Sequence, residues 1–213
     1  SIAMFEPGMN IPTVSLGSGE RSNNAQSALD FFLDFTNLAK KTYSWNVAMP
    51  LSQNAFSGGS LAVYFGHARD FGTIKKGNPH LNFGVAEFPQ RDNDKKKTTS
   101  SRLYAMAVTR GTSNISVSKQ IAVAMATSDF AKNLSDDTYL PPARRDLLAL
   151  GSVDPVMSVF YSSAVISRSW LDPSPTESDQ IFQDMLDSVL SGSRDSSNAL
   201  GIAARRLINL IKR

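Results

Sequence analysis

Three short apolar runs in the first half of the chain constrain its fold more than any other feature. They cover residues 61–65, 81–88 and 103–108, and they are followed by a glycine, a proline and a threonine respectively. Runs of this length and composition predict buried strands. Helical periodicity dominates the rest of the sequence, so the pattern predicts an α/β chain with more helix than strand. Three strands are too few to make a well-covered sheet for this many helices.

The predicted helices follow from capping residues and from the spacing of apolar side chains. Serine or threonine suits the first position of a helix, proline the first turn, and glycine the position after the last turn. On these signals helices are predicted over 23–40, from Ser52 to Gly58, over 116–126 and 128–134, from Pro141 to Gly151, over 155–169, from Thr176 to Gly192, and over 197–212.

Composition narrows the possible chemistry. The chain has no cysteine and two histidines, His67 and His80. A disulfide scaffold, a thiol nucleophile and a cysteine-ligated metal are therefore excluded, and a hydrolase would have to use one of those two histidines. We expect no cofactor and no enzymatic activity. The net charge is only +3, and the densest charged run, 91–97, mixes signs, which favours a solvated loop over a nucleic-acid-binding face.

Five residues are candidates for contact with a ligand. His67 and Arg69 follow the run 61–65, and the carboxyl end of a strand is where open α/β sheets bind ligands. The aromatic candidates are Trp45 in a predicted loop, Tyr161 within a predicted helix, and Trp170 just after it. Aromatic side chains of this kind stack on sugars or other flat faces, although packing in the core or at its rim is the commoner role.

The order of several motifs carries a family resemblance. Ala55-Phe56-Ser57-Gly58-Gly59 leads into the first apolar run, Pro89 ends the second, and Tyr104-Ala105-Met106-Ala107-Val108-Thr109 follows. Leu140-Pro141-Pro142 and Met157-Ser158-Val159-Phe160-Tyr161-Ser162 come later. This succession resembles the C-terminal half of the extracellular solute-binding proteins of ABC importers, in the family that includes maltose-binding protein.

The resemblance implies a two-lobed periplasmic-binding-protein-like fold of type II, whose cleft closes on a solute without chemistry. Residues 1–90 and 143–213 would form the C-terminal lobe, and 99–138 a segment of the N-terminal lobe. Residues 91–98 and 139–142 would form the hinge. Full-length relatives are about twice as long, so the N-terminal half, with a signal and a lipid anchor, would lie outside this chain.

The resemblance also implies partners and a location. The ligand would be a small-molecule solute such as a sugar, an oligosaccharide or an anion, and it would be delivered to ABC permease subunits outside the cytoplasm. Tyr161 would stack on the ligand. Sugar-binding relatives place an aromatic residue in the turn where this chain has His67-Ala68-Arg69, which indicates a more polar or anionic ligand. The alternative is a structural or protein-interaction module that keeps the fold without transport.

Overall fold

The computed structural model describes residue 16 and residues 20–90, 96–170 and 172–212, with the backbone alone for 20–23. Within these residues the chain is helix-rich and mixed α/β, with one small parallel sheet. The helices are α1 Glu20–Asp34, α2 Ser52–Ser57, α3 Ala68–Gly77, α4 Ile115–Met125, α5 Ser128–Thr138, α6 Arg145–Leu150, α7 Pro155–Ile166, α8 Pro175–Leu190 and α9 Ser196–Ile211. The strands are β1 Thr99–Ser100 and β2 Ser167–Arg168.

The chain divides into two compact units. The first contains the residues up to Met49 and those from Trp170 onward, and the second is Pro50–Ser169. This division differs from the lobes that the family resemblance implies, and those lobe boundaries stay a prediction. Residues 91–95 of the predicted hinge lie outside the described residues.

The first unit is built from α1, α8 and α9. α9 packs against both other helices, and it buries Ala199, Leu200, Ala203, Ala204, Leu207 and Leu210. These positions recur at helical spacing, and the alanines let the neighbouring helices approach closely. Two polar contacts join the helices at the surface. Ser196 Oγ donates to Asp30 Oδ1 at 2.6 Å, and Arg206 Nη1 lies 2.6 Å from Asp184 Oδ2.

The second unit holds a cluster of contacting aromatic rings, here called the aromatic core, in which Phe160 is buried and the other rings are partly exposed. The ring of Phe71, on α3, lies 5.5 Å from that of Phe83, 5.4 Å from that of Tyr139 and 6.1 Å from that of Phe160. Phe56, on α2, extends the cluster through a contact with Phe83 at 5.6 Å. The tilted and edge-on geometries are those that aromatic pairs prefer, so the cluster joins α2, α3 and α7 in one core.

The three predicted strands are the main error of the sequence interpretation. Residues 61–65, 81–88 and 103–108 belong to no strand in the described structure, and the small sheet consists instead of β1 and β2, paired Thr99 with Ser167 and Ser100 with Arg168. No backbone hydrogen bond forms between these three segments in the described structure. A strand requires a partner that satisfies its N–H and C=O groups, and an apolar run does not supply one.

Each predicted helix is present in the structure, although several helix ends are shifted. The structure also contains one helix, α3, that was not predicted. α1 ends at Asp34 instead of residue 40, and α6 begins at Arg145, after the two prolines. α7 ends at Ile166 because the chain enters β2 at Ser167. The sequence around α3 predicts a loop because Gly66 precedes the helix, Gly72 lies inside it and Gly77 ends it.

Candidate ligand-binding site

The turn at Gly66 leads from residues 61–65 into α3, and the side chain of Asp70 holds it in place. Asp70 Oδ2 accepts a hydrogen bond from the backbone N–H of His67 at 2.8 Å and another from the hydroxyl of Tyr64 at 3.2 Å. The first bond satisfies an N–H group at the start of the helix, which is the reciprocal half of a capping box. A carboxylate three residues into α3 therefore fixes the turn that precedes it.

Gly66 is required at this turn because a side chain would not fit. A Cβ atom at that position would lie against the ring of Tyr64 and 2.8 Å from Asp70 Oδ2. The close packing also affects the titration of Tyr64. Partial burial raises the pKa of its phenol, and the neighbouring negative charge of Asp70 raises that pKa further.

Arg69 places a cation beside the turn. Its side chain is 53% exposed, its Nε lies 3.6 Å from Asp70 Oδ1, and its Nη1 lies 3.5 Å from the hydroxyl of Tyr104. Both contacts are long for hydrogen bonds, so the guanidinium keeps most of its donor capacity. Tyr104 is 77% exposed and belongs to the apolar run 103–108. The pair thus brings together residues that are 35 positions apart.

Two exposed aromatic rings lie at the ends of the other two apolar runs. Phe65 precedes Gly66, Phe88 precedes Pro89, and their ring centroids are 5.3 Å apart. Phe65 is 62% exposed and Phe88 is 54% exposed, so much of both rings faces outward. Sequence reasoning treated both rings as interior residues of strands and missed them. The available signal was their position, since each is the last apolar residue before a turn-forming residue.

The five predicted ligand residues do not all lie in one unit. His67, Arg69 and Tyr161 belong to the second unit, whereas Trp45 and Trp170 belong to the first. His67 serves the turn through its backbone, and its side chain is exposed. Tyr161 is half-buried on α7, beside Phe160, which packs into the aromatic core. Trp45 is half-buried, and Trp170 packs partly against the core of the first unit.

One residue of the aromatic core has an unusual backbone. Tyr139 follows α5 with φ of 57°, in the left-handed region that favours glycine. Its ring contacts Phe71, and Lys75 Nζ lies 5.6 Å from the ring centroid of Phe71 and 5.9 Å from that of Tyr139. The predicted hinge, 139–142, thus begins at a strained residue that is held by α3.

A separate cavity of about 300 Å³ lies between α8 and α9 in the first unit. Its lining combines apolar residues with three charged ones, and it contains none of the five predicted ligand residues; it is formed by Ile181, Asp184, Met185, Ser188, Arg194, Ala199, Ile202, Ala203 and Arg206. Arg206 lowers the pKa of Asp184 through their hydrogen bond. The ion pair between Arg206 and Asp184 at the border of the cavity contributes little to stability, since both side chains are more than 40% exposed.

The described residues contain no group of three or more histidine or acidic side chains placed to hold a metal ion. No helix among them combines the length and the hydrophobicity needed to cross a bilayer. No protein-family model matches the chain, and no curated protein is significantly similar to it.

Proposed function

We propose that this chain is the C-terminal half of an extracytoplasmic solute-binding protein that serves an ABC importer. In this proposal it captures a small solute, such as a carbohydrate, in a cleft between two lobes and passes it to permease subunits without chemistry. The fold would be the two-lobed, type II binding-protein fold, held at the cell surface or in the periplasm through an N-terminal anchor. The proposal begins from the ordered motifs that resemble this family.

One structural observation carries the proposal. Two contacts near the Gly66 turn join segments that are distant in the sequence: Phe65 with Phe88, from the first two apolar runs, and Arg69 of α3 with Tyr104 of the third run. The arrangement leaves the exposed ring of Phe65 and the half-exposed guanidinium of Arg69 on either side of Gly66, and each contacts a second exposed aromatic residue from a later apolar run. Apolar surface combined with a few orienting polar groups is the composition that small-molecule sites use.

The exposed residues of the third apolar run support the proposal that this chain is one half of a longer protein. In the run 103–108, Leu103 is 72% exposed and Met106 is 52% exposed. The same run has no backbone hydrogen bond among the described residues. A continuous apolar run is typical of a strand that is buried on both faces of a parallel sheet. A second lobe that supplied neighbouring strands would satisfy both the backbone and the side chains of this run.

The alternative is a protein-interaction module that keeps the fold without transport. The observation that favours it is α4, which has no buried residue although Ile115, Val117, Ile121, Val123 and Met125 all lie on it. A helix of this composition ordinarily packs on a partner. The contact of half-exposed Arg69 with exposed Tyr104 suits either function, because arginine and aromatic side chains are also enriched at protein interfaces.

Two experiments test the proposal. The gene sequence upstream of Ser1 should encode a lipoprotein signal and an N-terminal lobe, beside permease genes. The natural full-length protein should also be stabilised in a thermal-shift screen by at least one pool of sugars, oligosaccharides or small anions, since a ligand that binds only the folded state raises its stability. Absence of stabilisation by every pool, together with an upstream sequence that encodes no second lobe, would contradict transport and favour the interaction module.

A further inference from the structure

The exposed ring pair at Phe65 and Phe88 has the properties of a stacking platform. The centroids are 5.3 Å apart and the planes are inclined by 52°, so the two rings form an angled surface instead of covering each other. Both rings are more than half exposed. The C–H groups on one face of a sugar ring pack favourably against such aromatic faces, because the contact removes apolar area from water on both sides.

The guanidinium of Arg69 places a cation beside this turn, and its side chain is 53% exposed. Asp70 does not neutralise it fully, because Asp70 Oδ2 is committed to His67 and Tyr64, and Asp70 Oδ1 remains 3.6 Å from Arg69 Nε. Tyr104 occupies one Nη1 donor at 3.5 Å. A guanidinium with free donors binds a carboxylate through two parallel hydrogen bonds.

The charge of the turn favours a monoanion over a phosphate. Lys75, on the same helix as Arg69, lies over the rings of Phe71 and Tyr139, which gives its ammonium group a different role. Arg69 and Asp70 carry one opposite charge each, so the pair offers no excess positive charge and suits a ligand with one negative charge better than a ligand with two. A phosphate monoester carries nearly two negative charges at neutral pH, and the same turn would leave the second one uncompensated.

We propose that the residues around Gly66 bind an acidic saccharide, with a sugar ring on Phe65 and Phe88 and its carboxylate on Arg69. This inference rests on the proposed function, and it narrows the solute class from sugars and anions to sugars that carry a carboxylate. Phe65 and Phe88 then determine affinity for the ring, and Arg69 determines the preference for the charged sugar.

The test measures binding to the natural full-length protein by isothermal titration calorimetry. The probes are galacturonic and glucuronic acids and their short oligomers, the matching neutral sugars, glucose 6-phosphate, and acetate. We expect an acidic sugar to bind at least about tenfold more tightly than its neutral counterpart, a difference of about 1.4 kcal/mol. Acetate should bind weakly because it lacks the ring.

Variants test the contribution of the guanidinium separately from that of the two aromatic rings. Arg69→Gln should reduce acidic-sugar affinity to that of the neutral sugar and leave the neutral sugar unchanged. Phe65→Ala and Phe88→Ala should weaken the binding of the acidic sugar and of the neutral sugar. Arg205→Gln, which removes an exposed arginine from α9 in the other unit, is the matched control and should change neither. Circular dichroism verifies that each variant is folded.

The outcomes distinguish this inference from the proposed function. Equal affinity for acidic and neutral sugars, tighter binding of glucose 6-phosphate, or an Arg69→Gln variant with unchanged preference would overturn the acidic-saccharide assignment while leaving solute binding intact. Binding of unrelated solutes from the wider screen, with no saccharide bound, would do the same. Absence of binding to all probes and all screened pools would overturn both.

Discussion

Asp70 is the residue whose removal tests the described turn most directly. Its side chain is only 16% exposed, and its Oδ2 atom accepts hydrogen bonds from the backbone of His67 and the hydroxyl of Tyr64. Asp70→Ala removes the acceptor of both hydrogen bonds at once. The N–H of His67 and the Tyr64 hydroxyl then have to find water, and the start of α3 loses its cap.

The magnitude follows from those two bonds. Loss of a side chain that caps a helix start costs about 0.5–2 kcal/mol. A hydrogen bond to a charged acceptor contributes about 1.5–3 kcal/mol, but both donors here can be rehydrated in part. We therefore expect Asp70→Ala to lower the free energy of unfolding by about 1–3 kcal/mol. Asp70→Asn keeps an oxygen acceptor and loses the charge, so its effect should be smaller.

The matched control is Asp129→Ala. Asp129 also lies in the first turn of a helix, α5, but it is exposed and accepts no side-chain hydrogen bond among the described residues. Its carboxylate contributes only through the helix dipole, which amounts to about 0.3–1 kcal/mol. The two variants therefore differ in the cap and the Tyr64 bond, and share the loss of one acidic charge near a helix start.

Urea unfolding followed by far-ultraviolet circular dichroism measures the difference. With a denaturant slope of about 1–3 kcal/mol per molar urea, Asp70→Ala should lower the midpoint by roughly 0.3–3 M, or about 1 M for the middle of both ranges, relative to the unmodified chain. Both tryptophans lie in the first unit, so tryptophan fluorescence reports that unit separately. An Asp70→Ala midpoint indistinguishable from that of Asp129→Ala would refute the capped turn as the structure describes it.

Three further predictions concern packing and titration. Gly66→Ala should destabilise the chain because its Cβ would meet Tyr64, whereas Gly72→Ala, with open space inside α3, should stabilise it by about 0.5–1 kcal/mol; thermal unfolding compares them directly. Leu207→Ala should lower the free energy of unfolding by about 2–5 kcal/mol because this side chain is fully buried, whereas Leu38→Ala should lower it little because Leu38 is 75% exposed. Urea unfolding monitored by tryptophan fluorescence compares the two variants, and equal midpoints would contradict the burial of Leu207. The pKa of Tyr64 is raised above its ordinary value, so its contribution to stability is present below about pH 10 and is lost as the pH rises through the folded pKa. An ultraviolet titration of the phenol groups should therefore show that Tyr64 ionises above the usual range of tyrosine, and an ordinary pKa for Tyr64 would contradict its burial beside Asp70.

The helices of the second half were predictable because their signals are local. Proline stands at the first position of α7 and of α8, and Gly151 and Gly192, after α6 and α8, have positive φ. Caps of this kind act within one turn of the chain, so a single sequence reveals them. The exact capping residue was less predictable: Asn114 caps α4 and Asp195 caps α9, each through its own side-chain oxygen.

The candidate site was predictable only in part. Arg69 was identified from its place after an apolar run, and the structure puts it in contact with Tyr104. Tyr104 and Phe88 were not identified, because their contacts join residues at least 23 positions apart. Periodicity gives the face of an element to which a residue belongs. It carries no information on which distant element lies opposite that face.

The sequence by itself determined the approximate positions of the described helices other than α3, that apolar material suffices for a core, and that cysteine chemistry is excluded. These properties depend on residue types and on neighbours within a turn or two. Only the tertiary structure decided that 61–65, 81–88 and 103–108 are unpaired here, and that a parallel pair forms between β1 and β2 instead. Strand pairing joins groups that are distant in the sequence, so the apolar composition of a segment cannot establish whether a partner lies beside it.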